Sequence, residues 1–490
     1  VPPNIMIVLD NSGSMFNFSY SDGFNTTTTS DDNNCATSAC TGFTNPGTYP
    51  TYKYYGYFDP DYWYTYSTRF VPSAPKTGSG LSGARAKTSS EWDGNFLNWL
   101  TMRRVDIIKK VMTGGKGTPA TSPTRLQGVQ ADYSGRGIYK STISADTPNY
   151  TEYTGAKTYT FNATGSSAIS SFSVSGGGGN FDVDVDVLSS ALPVEGVLQR
   201  AVGAKARIGL TFYKPNTNTT HTTTHTTDGG FIQVRVAGGS LSSTVNQINL
   251  SMPDSNTPLG ETLWTVTGYF AQQATMEGGP GPRYGSSDFQ INNTDDPLNY
   301  GTGGQPVYRS CGKSFVLYIT DGEPCSDGHL PSTIADYASG KSSYNCSGGS
   351  CPAVAPFSAS TFPSCSAGNY VAGIEDVALY AHTTDLRSST INAIDGTQNL
   401  TMYFVFAFGK GSTLLRYAAI NGGFEDSNGN NIPDLQSEWD NNSDNEPDTF
   451  YEATDGAELE TSIEAAFSTM LKRASSGTAA SVLASGEGRG

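Results

Sequence analysis

The chain has 490 residues, 36% of them hydrophobic and only 15% charged, and its 45 acidic and 29 basic side chains give a formal net charge of −16 at pH 7. It is longer than one minimal domain, and its 27 Tyr, 23 Phe and 5 Trp make it too aromatic for an intrinsically disordered chain. The acid excess argues against a nucleic-acid partner, which would need clustered cations, and makes divalent cations the natural counter-charge; no apolar run reaches membrane-spanning length, so no integral membrane protein is expected.

In chain order, Asn4 to Leu9 is an almost continuous apolar run ending at Asp10, the pattern of a strand buried on both faces. It begins without a charged leader, as expected of an exported protein whose signal has been removed. Similar runs recur at Ala206 to Tyr213, Ser314 to Thr320 and Met402 to Phe408. Between them, helical periodicity spans Asn95 to Met112, Pro258 to Gln273, Ile374 to Leu386, Ser412 to Ile420 and Ala457 to Lys472. Buried strands alternating with amphipathic helices predict an α/β fold with a doubly wound, mostly parallel sheet, whose ligands sit beyond the strands' carboxyl ends.

Long segments of other character interrupt this frame. The expected core comprises residues 1–15, 92–112 and 195–475. Residues 16–91 form a Tyr-rich, Cys-containing insertion, residues 113–194 a Gly/Ser/Thr-rich one and residues 322–369 a Cys-rich loop; 476–490 read as a C-terminal linker. The tyrosine-dense stretch from Tyr49 to Phe70 is either an adhesive face or the insertion's own core. In the second insertion, Asp182 to Val187 alternates like a strand with one wet face. The seven cysteines, Cys35, Cys40, Cys311, Cys325, Cys346, Cys351 and Cys365, include two C-x4-C pairs. These fit short disulfide-closed loops of an oxidising compartment or buried free thiols, and the odd count leaves one thiol without a partner in this chain. His221 and His225 sit in a Thr-rich run that disfavours a helix and read as a solvated hairpin tip, and Gly176 to Gly179 lack the lysine of a phosphate loop.

The chemistry concentrates where the first strand ends. Asp10, Ser12 and Ser14 form a D-x-S-x-S turn that offers hard oxygens to one point. Thr257 precedes Pro258 at a helix start, where its hydroxyl can cap the helix or bind metal. Asp321 ends a second buried strand, and Gly322 allows the sharp exit. Two aspartates, two serines and a threonine make an oxygen-only set suited to Mg2+ (or Mn2+).

This pattern resembles a von Willebrand factor A domain with a metal-ion-dependent adhesion site at Asp10, Ser12, Ser14, Thr257 and Asp321. The resemblance implies that an open coordination position on the ion accepts a partner's carboxylate. A narrower similarity, carried by Gly94 to Gly115, Thr257 to Thr262, Glu375 to Ala378, Asp385 to Arg387 and Ala474 to Ala480, is to the N-terminal half of PilY-type proteins, the type IV pilus tip adhesins and assembly factors. In that family a β-propeller follows, so a C-terminal propeller domain or subunit is an expected partner.

Residues 425–452 hold a tandem repeat. Asp426, Asn428, Asn430, Ile432 and Asp434, with Glu438 beyond, recur fourteen residues later as Asp440, Asn442, Asp444, Glu446 and Asp448, with Glu452. Oxygen groups at alternate positions curl round Ca2+ in EF-hand-like loops. The repeat departs from that pattern at position six, where Asn431 and Asn445 replace glycine, and its acid falls one residue late, after Ser437 and Tyr451. The resulting expectation is a binding protein and no enzyme: an extracellular adhesin, exported through the periplasm to the pilus tip. It would hold minor pilins and capture acidic groups of a host or abiotic surface through Mg2+, with Ca2+ ordering the repeat. The alternative is a structural pilus-priming subunit docked on minor pilins, its ions serving only to tie loops together.

Overall fold

The computed structural model describes the chain outside residues 21–52, 120–121, 131–138, 143–146, 162–168, 215–228, 274–288, 302–304, 339–372, 389–392 and 487–490, and outside a few single positions between 323 and 336. It is a mixed α/β protein with three sheets. The largest to span the chain has the order β13 (Gly230–Val234), β12 (Arg207–Tyr213), β1 (Asn4–Leu9), β14 (Ser314–Thr320), β15 (Thr401–Ala407) and β16 (Phe450–Ala453). All neighbours in it are parallel except the edge strand β13, which runs antiparallel to β12.

The reason β1 is apolar throughout lies in its two covered faces. Ile5, Ile7 and Leu9 enter a core shared with α2 (Arg104–Thr113), α4 (Leu241–Leu250) and α9 (Gly456–Gly486). Met6 and Val8 enter a second core with α5 (Leu259–Ala271), α6 (Ile374–Thr383) and α7 (Thr413–Gly423). A strand walled on both sides has no wet face, so alternation disappears from its sequence. Its register with β14 pairs Leu9 with Ile319, which brings the two strand ends out side by side.

The other two sheets come from residues 62–186 and are mostly antiparallel, so the expectation of one mostly parallel sheet covers only part of the chain. A four-stranded sheet has the order β10 (Asn180–Asp182), β9 (Ser171–Val174), β8 (Lys157–Phe161) and β7 (Tyr139–Thr142). A six-stranded one has the order β4 (Trp92–Asp93), β2 (Tyr62–Tyr66), β3 (Phe70–Pro75), β11 (Asp184–Asp186), β6 (Arg125–Gln127) and β5 (Gly117–Thr118). The alternating segment at Asp182 to Val187 is therefore two strands in two sheets: Val183 exchanges backbone hydrogen bonds with Ser170 and Gly128 at the crossing. Tyr54, Tyr57, Phe58, Tyr64 and Phe70 are buried, so this part of the tyrosine-dense stretch is core. Edge-to-face contacts such as Phe58 with Tyr64 at 5.2 Å and Phe58 with Phe70 at 5.3 Å hold it.

The helix expected from Asn95 to Met112 is two helices, α1 (Gly94–Thr101) and α2, separated at Met102 and Arg103. The cause is a strand-like contact. Phe18 bridges Arg103, the Ser19 amide donates to the Met102 carbonyl at 3.0 Å, and the Arg104 amide donates to the Asn17 carbonyl at 3.0 Å. Those bonds replace helical ones and place Arg104 at the first turn of α2, facing the turn that follows β1. The short helices α3 (Thr147–Tyr150) and α8 (Gln436–Trp439) complete the set among the described residues.

Behind the start of α5 lies a group of buried acids. Glu375, at the start of α6, is only 3% exposed and its Oε2 has no hydrogen-bond partner. Burial, then the charges of Asp376 and Asp327, push its carboxyl up to about 8. The folded state thus prefers the protonated form, so this group favours folding at low pH and the benefit is lost as pH rises from the usual carboxylate range through 8. Glu375→Gln should flatten the fall in melting temperature between pH 6 and pH 9; equal falls in variant and wild type would refute the assignment.

Candidate metal centre

The turn after β1 and the end of β14 are joined by one hydrogen-bond network. Asp10 Oδ1 accepts from the Ser12 amide at 2.6 Å, and Oδ2 accepts from Thr320 Oγ1 at 2.7 Å and from the Asp321 amide at 3.3 Å. Ser12 Oγ and Ser14 Oγ lie 2.7 Å apart, and Ser14 Oγ donates to Asp321 Oδ1 at 2.6 Å. Asn11 locks the turn to β12, its side chain donating to the Tyr213 carbonyl at 3.1 Å and accepting from the Tyr213 amide at 2.9 Å. Asp10 and Asp321 are both buried. Burial first, and then the charge of Asp321, raise the Asp10 carboxyl to about 7, against the opposing hydrogen bonds of Ser12 and Thr320. Two buried neighbouring carboxylates and two hydroxyls can hold a hard divalent cation, which would relieve their repulsion.

Thr257 approaches through its backbone. Ser255 bridges Ser12, with the Gly13 amide donating to the Ser255 carbonyl at 3.0 Å, and two residues on Thr257 pairs with Cys325 through bonds of 2.9 and 3.2 Å. α5 starts at Leu259, with Pro258 in the capping position and no side-chain cap from it. The free amides of the first turn go instead to Asp327, which accepts from Gly260 at 2.8 Å and from Glu261 at 2.9 Å. A carboxylate from the segment paired with Thr257 therefore does the capping. The Thr257 hydroxyl is not spent on it.

Three residues of this centre escape the sequence reading: Thr320, Asp327 and Arg104. Arg104 Nη1 pairs with Asp321 Oδ2 at 2.8 Å, with its side chain 11% exposed and that of Asp321 fully buried. Its guanidinium stacks 5.6 Å from the ring centre of Phe408, at the exit of β15. The doubled arginine at Arg103 and Arg104, a costly pair on a buried helix stripe, was the available signal.

The repeat of residues 425–452 lies between α7 and β16 as two closely similar turns. Asp426 accepts from the amides of Gly429, Asn430 and Asn431, Asn428 Oδ1 from Asn430, and Asn430 Oδ1 from Ile432. Asp440 likewise accepts from Asp444 and Asn445, Asn442 from Asp444, and Asp444 from Glu446. Asn431 and Asn445 have φ of 59° and 69°, the left-handed conformation an EF-hand assigns to glycine and one that asparagine tolerates. Asp434 bonds Asn428, and Asp448 accepts from the Asn441 amide. The two late acids accept from backbone amides: Glu438 takes the Leu435 amide and the Ser427 amide of the first loop, and Glu452, on β16, takes the Gly411 amide. Among the described residues no three His, Cys, Asp or Glu side chains converge as a metal-ligand group.

Cys311 is exposed and free and Cys325 is disulfide-bonded; the other five cysteines, like His221 and His225, lie outside the described residues. Residues 47–183 match the family model described as the PilY1 homolog small alpha/beta domain. That segment holds α1, α2 and most of the two smaller sheets. No curated protein and no solved structure matches the chain significantly.

If Asp327 caps α5 at a distance, Asp327→Ala leaves two buried amides bare and should lower unfolding free energy by about 2 kcal/mol in a urea titration. An unchanged midpoint would show that the capping contributes nothing.

Proposed function

We infer that the chain is a metal-dependent adhesin of the type IV pilus, built on a von Willebrand factor A-like sheet. The observation carrying this reading is the network linking Asp10, Ser12, Ser14 and Asp321 at the carboxyl ends of β1 and β14. In this reading Ser12, Ser14 and Thr257 hold Mg2+ or Mn2+ with the two aspartates beside them, and the ion supplies a Lewis-acidic position for a partner's carboxylate. The match of residues 47–183 to a PilY1-related domain supports a pilus setting, with minor pilins as partners and the cell exterior as location. Among the described residues no helix is long and apolar enough to cross a membrane, which is consistent with that placement.

Asp10→Ala and Asp321→Ala should each abolish Mg2+-dependent surface attachment of piliated cells while the circular dichroism of the protein stays native. Attachment that survives in both variants and in EDTA would overturn the reading. If EDTA instead lowers the melting temperature and leaves attachment intact, the ion is a strut, as in a pilus-priming subunit.

The two Asx-rich turns are proposed as Ca2+ loops that order the segment between α7 and β16. At Ca2+ about 100-fold above Kd, a single site would add about 2.7 kcal/mol to stability. Asp426→Ala and Asp440→Ala should each shrink the calcium-dependent rise in melting temperature; a wild-type melt indifferent to Ca2+ would refute the assignment.

A further inference from the structure

Arg104 is badly placed for the helix it begins. A cation at the first residue of an α-helix opposes the positive end of the helix dipole. Its Nε is buried without a hydrogen-bond partner, and only Nη1 is engaged, on Asp321. Such an arginine costs free energy unless its charge serves the site beside it. Counting formal charges gives that service. The Asp327 carboxylate is offset by the first-turn amides and the amino end of α5, and Asp10 and Asp321 carry two further negative charges, which a divalent cation neutralises; Arg104 then leaves the loaded site with one positive charge in excess. Without Arg104 the loaded site would carry no net charge, and its preference for an anion would rest on the cation alone.

We propose that Arg104 sets the specificity of the metal centre, weakening the hold on the cation in exchange for a net positive site that admits a carboxylate in preference to a neutral oxygen ligand. This rests on the metal-site reading above. The guanidinium sits on the far oxygen of Asp321, leaving Oδ1 to Ser14, so it acts on the ion through the field and not by occupying its place. Phe408 under the guanidinium keeps water from one of its faces, which lengthens the reach of that field.

The test uses the full chain with Mn2+, read by electron paramagnetic resonance and water proton relaxation. Wild type should bind Mn2+, and the loaded protein should take acetate at least about tenfold more tightly than acetamide, a neutral ligand of the same size. Arg104→Gln and Arg104→Met should each bind Mn2+ about tenfold more tightly and lose most of the acetate preference, whereas Arg104→Lys should keep it. Equal affinity of wild type for acetate and acetamide would overturn the proposal without any variant, and so would neutral variants that bind Mn2+ and acetate as wild type does. A wild type that binds no Mn2+, or binding that Asp321→Ala leaves untouched, would defeat the metal-site reading itself and this proposal with it.

Discussion

The parallel register of β1 and β14 is the constraint on which the candidate site depends. It pairs Leu9 with Ile319, and each strand then ends in an aspartate, so two carboxylates leave the sheet as neighbours in a place where burial makes charge expensive. Everything nearby answers that cost. Ser12 and Thr320 donate to Asp10, Ser14 donates to Asp321, and Arg104 pairs with its outer oxygen. The sheet supplies rigidity and the turns supply oxygens, an arrangement that favours sites built on strand ends.

The segment between β1 and α2 matters for the same reason. Had the helix run unbroken from Gly94 to Thr113, Arg104 would have been a mid-helix residue with no way to face the turn. The pairing of Met102 to Arg104 with Asn17 to Ser19 breaks the helix and starts a new one at the position where its first side chain meets Asp321. On the opposite side Asp327 takes over the capping of α5 and leaves Thr257 its hydroxyl. Both contributions come from residues far along the chain from the groups they serve.

That distance explains what sequence reading reaches. Strands walled on both faces announce themselves by continuous apolar runs, so β1, β14 and β15 are legible to within a residue, and Asp10, Ser12, Ser14 and Asp321 follow from where those runs stop. Asp327 and Arg104 follow no local pattern: one caps a helix about seventy residues earlier, and the other sits in a stretch whose apolar spacing continues through the break at Met102. Strand β13, with two buried residues in five, and the four-residue β16 are too short and too mixed for periodicity to register. In the repeat, spacing locates the Asx turns but not what the acids beyond them do, because Glu438 folds back onto the Ser427 amide of the first loop and Glu452 is drawn to the Gly411 amide outside both.

The position of β1 in its sheet has a mechanical consequence. Both of its neighbours, β12 and β14, run parallel to it, so tension applied at the Ser12 to Ser14 turn is directed along the strand and loads two ladders of hydrogen bonds at once, in shear. Rupture would require many bonds to fail together, whereas a strand pulled sideways from a sheet edge peels one bond at a time. A tether fastened at that turn would be anchored in an interior strand gripped from both sides.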